Sequence, residues 1–264
     1  MTKIATDLFS SLNRISSPGS EVFETSPGVW RLAIPAGDSD RYRLAQLDDY
    51  RERSRAEFPW QAPVRLSLRL RSCTGLIPGT WGFGLWNDPF SLGSLGGIGR
   101  FRFPVLPNAA WFFHASPPNH LTLRNDLPAQ GWFAATYRSM KWTRWLLPAG
   151  IFALPLLLVP PAVRMLRRLM GRFILQEAAQ INTAPSQWQT CQLELENEHV
   201  LFTIDGIPLL DSPLVPAGRF GLVIWIDNRY LSIPPDGRLR YGTLENKTPA
   251  WIEVSNLTIQ PGVS

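Results

Sequence analysis

Pro63-Val64-Arg65-Leu66-Ser67-Leu68-Arg69-Leu70-Arg71 sets Val64, Leu66, Leu68 and Leu70 against Arg65, Ser67, Arg69 and Arg71. A period of two is the mark of a strand with one face in a core and the other in water, here a basic one. Further runs of the same character lie at 29–34, 80–88, 109–115, 120–124, 132–138, 188–196, 200–204, 219–228 and 251–259, each bounded by Gly, Pro, Asn or Asp. Many short strands punctuated by 24 Pro and 20 Gly, without alternating helices, predict an all-β fold. The expected architecture is an antiparallel jelly-roll β-sandwich in one domain over residues 1–264.

Composition agrees with a packed interior. Only 18% of the 264 residues are charged, while 11 Trp and 14 Phe supply rings for a core, which excludes a disordered chain. A net charge of +5 is too small for the dense basic field of a duplex-binding protein, so no nucleic acid partner is expected. The first fifteen residues hold no apolar run of secretory length, and Cys73 and Cys191 sit in strand-like runs as free thiols would in a reducing compartment. The expected location is cytoplasmic, peripheral to a membrane if the insertion described next touches lipid. His114, His120 and His199 are scattered with no Cys at zinc spacing, so neither a metal nor a cofactor is expected.

One stretch breaks the strand pattern. No charged residue occurs from Trp145 to Val163, and Pro148, Pro155, Pro160 and Pro161 interrupt it. From 163 to 175, a helical projection gathers Arg164, Arg167, Arg168 and Arg172 on one arc and Val163, Leu166, Leu169, Met170, Phe173 and Ile174 on the other. Residues 140–182 therefore read as an inserted apolar and amphipathic helical excursion. It packs on the sandwich, covers a groove as a lid, or contacts a membrane surface through 141–175 with the four arginines at headgroup level.

The run Trp188-Gln189-Thr190-Cys191-Gln192-Leu193-Glu194-Leu195-Glu196, followed by Val200-Leu201-Phe202-Thr203-Ile204-Asp205-Gly206, resembles the paired strands of concanavalin A-like lectins and glucanases. An aromatic opens the first strand and an Asp-Gly turn, suited to positive φ, ends the second. The resemblance implies the jelly roll and says little of activity. Laminarinase-type glycoside hydrolases of that superfamily carry alternating acids on one strand. Glu194, Glu196 and Glu198 imitate that spacing, but they run into the turn before the hairpin, so the hydrolase catalytic motif is absent.

Two strands share a face pattern. Gly82, Gly84, Trp86 and Asp88 alternate with Trp81, Phe83, Leu85 and Asn87, and Gly221, Val223, Trp225 and Asp227 alternate with Phe220, Leu222, Ile224, Ile226 and Asn228. Two indoles and two carboxylates in the same order suggest a common groove. Trp86 and Trp225 would be its platforms, Asn87 and Asn228 its polar contacts, and Tyr230 and Tyr241 its rim. Asp88 and Asp227 are the candidate acid/base pair, with His114, which shares a face with Ala110 and Phe112, as a core group or a further base.

Two functions of different class follow. One is a lectin-like domain that binds an amphipathic small molecule or glycolipid in the aromatic groove at a membrane surface. The other is an acid/base enzyme, an isomerase, cyclase or glycoside-directed catalyst, that uses Asp88 and Asp227 on an apolar substrate under a hydrophobic lid.

Overall fold

The computed structural model describes residues 8–74, 76–89, 102–140 and 159–262. In chain order the strands are β1 (Asn13–Ser16), β2 (Glu21–Ser26), β3 (Val29–Ile34), β4 (Leu44–Asp48), β5 (Val64–Ser72), β6 (Thr80–Trp86), β7 (Ala109–Ala115) and β8 (Gly131–Ser139). A helix, α1 (Pro160–Phe173), precedes β9 (Ile174–Gln180), β10 (Gln189–Leu195), β11 (Val200–Ile204), β12 (Ile207–Ser212), β13 (Gly221–Asp227), β14 (Arg229–Ser232), β15 (Arg240–Thr243) and β16 (Ala250–Pro261). They build a front sheet in the order β1-β4-β13-β6-β7-β8-β9 and a back sheet in the order β12-β11-β10-β5-β16-β3-β2, with β14 and β15 as a separate pair. All the strand pairings are antiparallel, and the two sheets form a jelly-roll sandwich.

The core between the sheets follows from side-chain alternation. Val64, Leu66, Leu68 and Leu70 of β5 are fully buried, Arg65 and Arg69 face out, and β10 contributes Cys191, Leu193 and Leu195 in the same way. Each such side chain stabilises the fold by about 1.5–3 kcal/mol. In β16 the buried positions shift from Ile252 and Val254 to Leu257 and Ile259. The pairing slips between Ser255 and Thr258, where Asn256 takes φ 52°, so one extra residue resets the alternation and keeps both halves of the strand on the core. Asp205 and Gly206, at φ 50° and 80°, make the tight β11–β12 turn their sequence predicts. Cys73 and Cys191 are free thiols.

The front sheet departs from a half-wet sandwich sheet. All seven residues of β7 and of β13 are buried, as are six of the seven in β6. A second apolar layer, with Tyr50, Phe58, Trp86, Trp111, Phe113, Phe133, Tyr137 and Trp225, therefore covers the sheet's outer face. Strands buried on both sides read as continuous apolar runs, which is why Ala109–Ala115 shows no polar alternation.

Two expectations change here. Residues 120–124 form a loop with a single bridge from His120 to Ser232 rather than a strand. The helix begins at Pro160, where Pro at the first two positions costs no hydrogen bond, and stops at Phe173. Ile174 and Leu175 belong to β9, the edge strand of the front sheet, paired with β8. The apolar stretch at 141–158, and with it the lid and membrane-dipping readings of that stretch, lies outside the described residues.

Candidate functional site

The outer face of the front sheet is set by register. β6 and β13 pair Trp86 with Gly221, Val223 with Gly84, Trp225 with Gly82 and Thr80 with Asp227. Side chains four rungs apart reach each other across the small residues between them, so the Trp86 and Trp225 rings lie parallel within 5°, their centroids 6.5 Å apart. Trp111 from β7 stands 6.0 Å from the first and 5.9 Å from the second, closing a triangle of indoles. Phe113 packs on Trp225 and Tyr137 on Trp111, at 5.5 Å each. The expected convergence of the two indoles is thus present.

The glycines serve this packing. A Cβ on Gly84 would lie 2.5 Å from Trp111 Cβ, and one on Gly221 2.2 Å from the Tyr50 ring. The β7 backbone at Gly84 and the Tyr50 ring at Gly221, rather than a ligand, fill the room these glycines leave. The indole N–H groups of Trp86 and Trp111 are buried with no hydrogen-bond partner among the described residues.

The two acidic strand tips do not converge. Because β6 and β13 run antiparallel, the Gly-Gly-Trp-Asp order of one strand is laid head to tail against the Gly-Val-Trp-Asp order of the other. Six rungs, roughly 20 Å at strand rise, separate the Asp227–Thr80 pair from the Gly221–Trp86 pair, and Asp88 follows Trp86 beyond the far end. The acid/base pair is therefore corrected: Asp88 and Asp227 occupy opposite ends of the sheet.

Asp88 is an anchor. It pairs with buried Arg102 at 2.9 Å, while Arg102 also donates to the carbonyls of Tyr50 and Arg51 at 2.7 and 2.8 Å. The backbone oxygens of Asn87 and Asp88 accept from Arg55. Asn87 itself donates to the Leu106 carbonyl and accepts from the Asn108 N–H, which ties two loops together instead of facing a groove.

Asp227 has a different environment. Its carboxylate accepts from Thr80 Oγ1 at 2.7 Å, from Tyr42 Oη at 3.2 Å and from the Arg229 N–H at 3.3 Å. Trp225 Nε1 donates to Thr80 Oγ1 at 3.0 Å, so a hydrogen-bonded chain runs from the indole triangle to the carboxylate. Burial, opposed by those donors and by the Arg229 charge, pushes Asp227 up to about 6. Burial and the neighbouring carboxylate push the Tyr42 phenol well above its ordinary range, and Arg229 stacks 3.8 Å from the Tyr42 ring centre.

Other candidates move away from the site. His114 is on the inner face of the sheet, stacked 4.9 Å from Trp81, which stacks in turn on Trp132, so it belongs to the core and not to the groove. Asn228 is fully buried and ties the backbones of Arg41, Arg43 and Leu244, a cross-link with no free edge for a ligand. Tyr230 is half-buried over Gly242, whereas Tyr241 is exposed. Glu194 pairs with Arg65 on the outer face of the back sheet, far from the indoles.

The arginine stripe is divided by the way the helix lies down. Val163 and Arg167 face the protein, and Arg167, only 5% exposed, donates to the carbonyls of Thr122 and Ile233 and to Asn125 Oδ1. It is not at the surface where headgroup contact would need it. Arg164, Arg168 and Arg172 are exposed, with Met165 and Leu169 beside them at 64% and 43% exposure.

Trp111, Thr80 and Tyr42 were not singled out from sequence. Placing His114 with Ala110 and Phe112 already put Trp111 and Phe113 on the opposite face, so parity gave a usable signal for Trp111. Tyr42 lies in a loop 185 residues from its partner, with no periodicity to mark it. Among the described residues no three His, Cys, Asp or Glu gather as a metal set, and no helix is long and apolar enough to cross a membrane.

Neither family models nor curated proteins match this chain. Among solved structures, it superposes on a legume lectin-like domain from Entamoeba histolytica with a TM-score of 0.51 and 10% identity, over 96% of this chain and 91% of that one. The chain has the concanavalin A-like fold. A glycoside hydrolase family 16 endo-glucanase from Bacteroides ovatus aligns at TM-score 0.48 and 9% identity over 92% and 86% of the two chains. A β-glucanase from Bacillus licheniformis aligns at 0.47 and 8% over 96% and 94%.

Proposed function

We propose that the chain is a lectin-like binding domain that takes an amphipathic, sugar-bearing ligand on the aromatic outer face of its front sheet, at a membrane surface. The observation that carries this is the indole triangle of Trp86, Trp111 and Trp225, in which the buried N–H groups of Trp86 and Trp111 have no partner among the described residues and that of Trp225 opens a hydrogen-bonded chain leading to Asp227. Ring faces suit the C–H faces of a pyranose or an acyl chain, and the N–H and carboxylate suit hydroxyls. Such recognition needs no second carboxylate, which is consistent with the separation of Asp88 from Asp227. The membrane element draws on exposed Met165 and Leu169 beside Arg168 and Arg172, next in sequence to an uncharged stretch.

The test is calorimetric titration with octyl β-glucoside below its critical micelle concentration, against glucose and octanol separately. Binding of the glycoside more tightly than either half, weakened at least tenfold in Trp225→Ala and Trp111→Phe, is the expected result. The Trp111→Phe change keeps one aromatic ring and removes the N–H together with the second ring of the indole. Equal affinity in the variants, or no glycoside binding, refutes the proposal.

A further inference from the structure

We infer that α1 and the loops beneath it form a binding site for a phosphate monoester, separate from the aromatic face and independent of its ligand. Arg164, Arg167 and Arg168, at positions i, i+3 and i+4 of the helix, line one cavity of about 220 Å³ together with Leu123, Asn125 and Pro235. Three arginines line this space and no acidic residue does. Among acids close in sequence to the lining residues, Asp126 pairs with Arg124 and the Asp236 carboxylate accepts from the Arg238 N–H. Like charges held together around a hollow repel until an anion enters, and guanidinium forks match phosphate oxygens two at a time.

The site is built rather than incidental. Arg167 is buried and fixed by the carbonyls of Thr122 and Ile233 and by Asn125, so its charge is placed before any ligand arrives. Arg164 is steadied by the Asp236 carbonyl at 3.0 Å. The turn carrying Pro235 is pressed on the helix start: Gly237 has φ 80°, and a Cβ there would lie 2.3 Å from the Pro160 carbonyl oxygen and 2.8 Å from Arg164 Cγ. Arg168, exposed, completes the lining and supplies a third cation to a ligand. The volume lies below the ~300–1,000 Å³ of pockets for drug-sized molecules, which suits a phosphate group with a small substituent.

The phosphate monoester is either a lipid headgroup, reached from the surface that shows Met165 and Leu169, or a free metabolite. The full chain is titrated calorimetrically with inorganic phosphate and phenyl phosphate. In parallel, it is sedimented with phosphatidylcholine vesicles containing phosphatidic acid, a monoester, or phosphatidylglycerol, a diester, at matched surface charge. Arg168→Glu is expected to weaken phosphate binding at least tenfold and Lys247→Glu, an equal charge change at a distant exposed site, less than twofold. Preference for phosphatidic acid vesicles, competed by phosphate, identifies the lipid source, and phosphate binding without that preference identifies the free one. No phosphate binding together with equal vesicle binding, or equal weakening by the two variants, overturns the site. Trp225→Ala must leave phosphate binding intact, so this proposal and the aromatic-face reading fail separately.

Discussion

Asp227→Asn should make the protein more stable at pH 7–8 than the parent by a margin that disappears in acid. Burial holds the folded carboxyl at about 6 against 3.8 for an unhindered aspartate. The fold therefore prefers the protonated form, so the favourable contribution is complete below pH 4 and is lost as pH rises through about 6. At about 1.4 kcal/mol for each pH unit between those two values, the parent forfeits about 3 kcal/mol over that window. Asparagine is isosteric and does not titrate. Its amide oxygen still accepts from Thr80 Oγ1 and the Arg229 N–H, and its amide nitrogen can donate to Tyr42 Oη. Urea unfolding of both proteins at pH 4 and pH 7.5 measures the change in their difference. Asp49, which burial also raises to about 6, titrates in both proteins and cancels. A difference in stability that is the same at both pH values would refute the claim that Asp227 is desolvated, and with it the use of this carboxylate as a tuned group at the edge of the aromatic face.

Gly221→Ala should destabilise by about 1–3 kcal/mol, because the new methyl meets a Tyr50 ring already held by Phe58 and Trp86 at 5.0 and 6.0 Å; the urea midpoint measures it. Asp88→Ala should cost about 3–5 kcal/mol by leaving the buried Arg102 charge without its carboxylate, and the double variant Asp88→Ala/Arg102→Met should recover part of that loss in thermal unfolding.

Alternation made most of the fold legible. Runs such as Val64–Ser72, Ala109–Ala115 and Val200–Ile204 announce their strands, and parity correctly sorted Trp81 and Phe83 to the core and Trp86 to the other face. Parity is a property of one strand, however. The relation between Asp88 and Asp227 depends on strand direction, which no local pattern encodes, and an antiparallel neighbour turns matching sequence order into opposite placement. Helical projection located the arginine arc on α1 but not its rotation against the body. That rotation is decided by the carbonyls of Thr122 and Ile233, which capture Arg167 and leave Met165 in water. Strands β9 and β12 escaped notice for a related reason: edge strands bury little, so Ile174–Gln180 and Ile207–Ser212 carry weak periodicity.

The back sheet shows by contrast why the front sheet and helix are the places to look. On its outer face Glu253 is nearly fully buried between Arg31 and Arg71, each at 2.7 Å, and Arg31 lies 4.3 Å from the centre of the Trp251 ring. Arg71 and Arg69 stand 4.8 and 5.2 Å from the Trp188 ring centre. Cations, rings and the acid satisfy one another there, a lattice on the outer face that braces β3, β16, β5 and the entry to β10. Trp111 is the reverse case, an unpaired donor among rings, while the arginines around the cavity under α1 have carbonyl and amide oxygens as partners but no carboxylate in the cavity wall. Polar groups desolvated without partners cost free energy in the unliganded fold. A ligand that supplies the missing acceptor recovers that cost on binding, so the sites of incomplete satisfaction are where binding gains most.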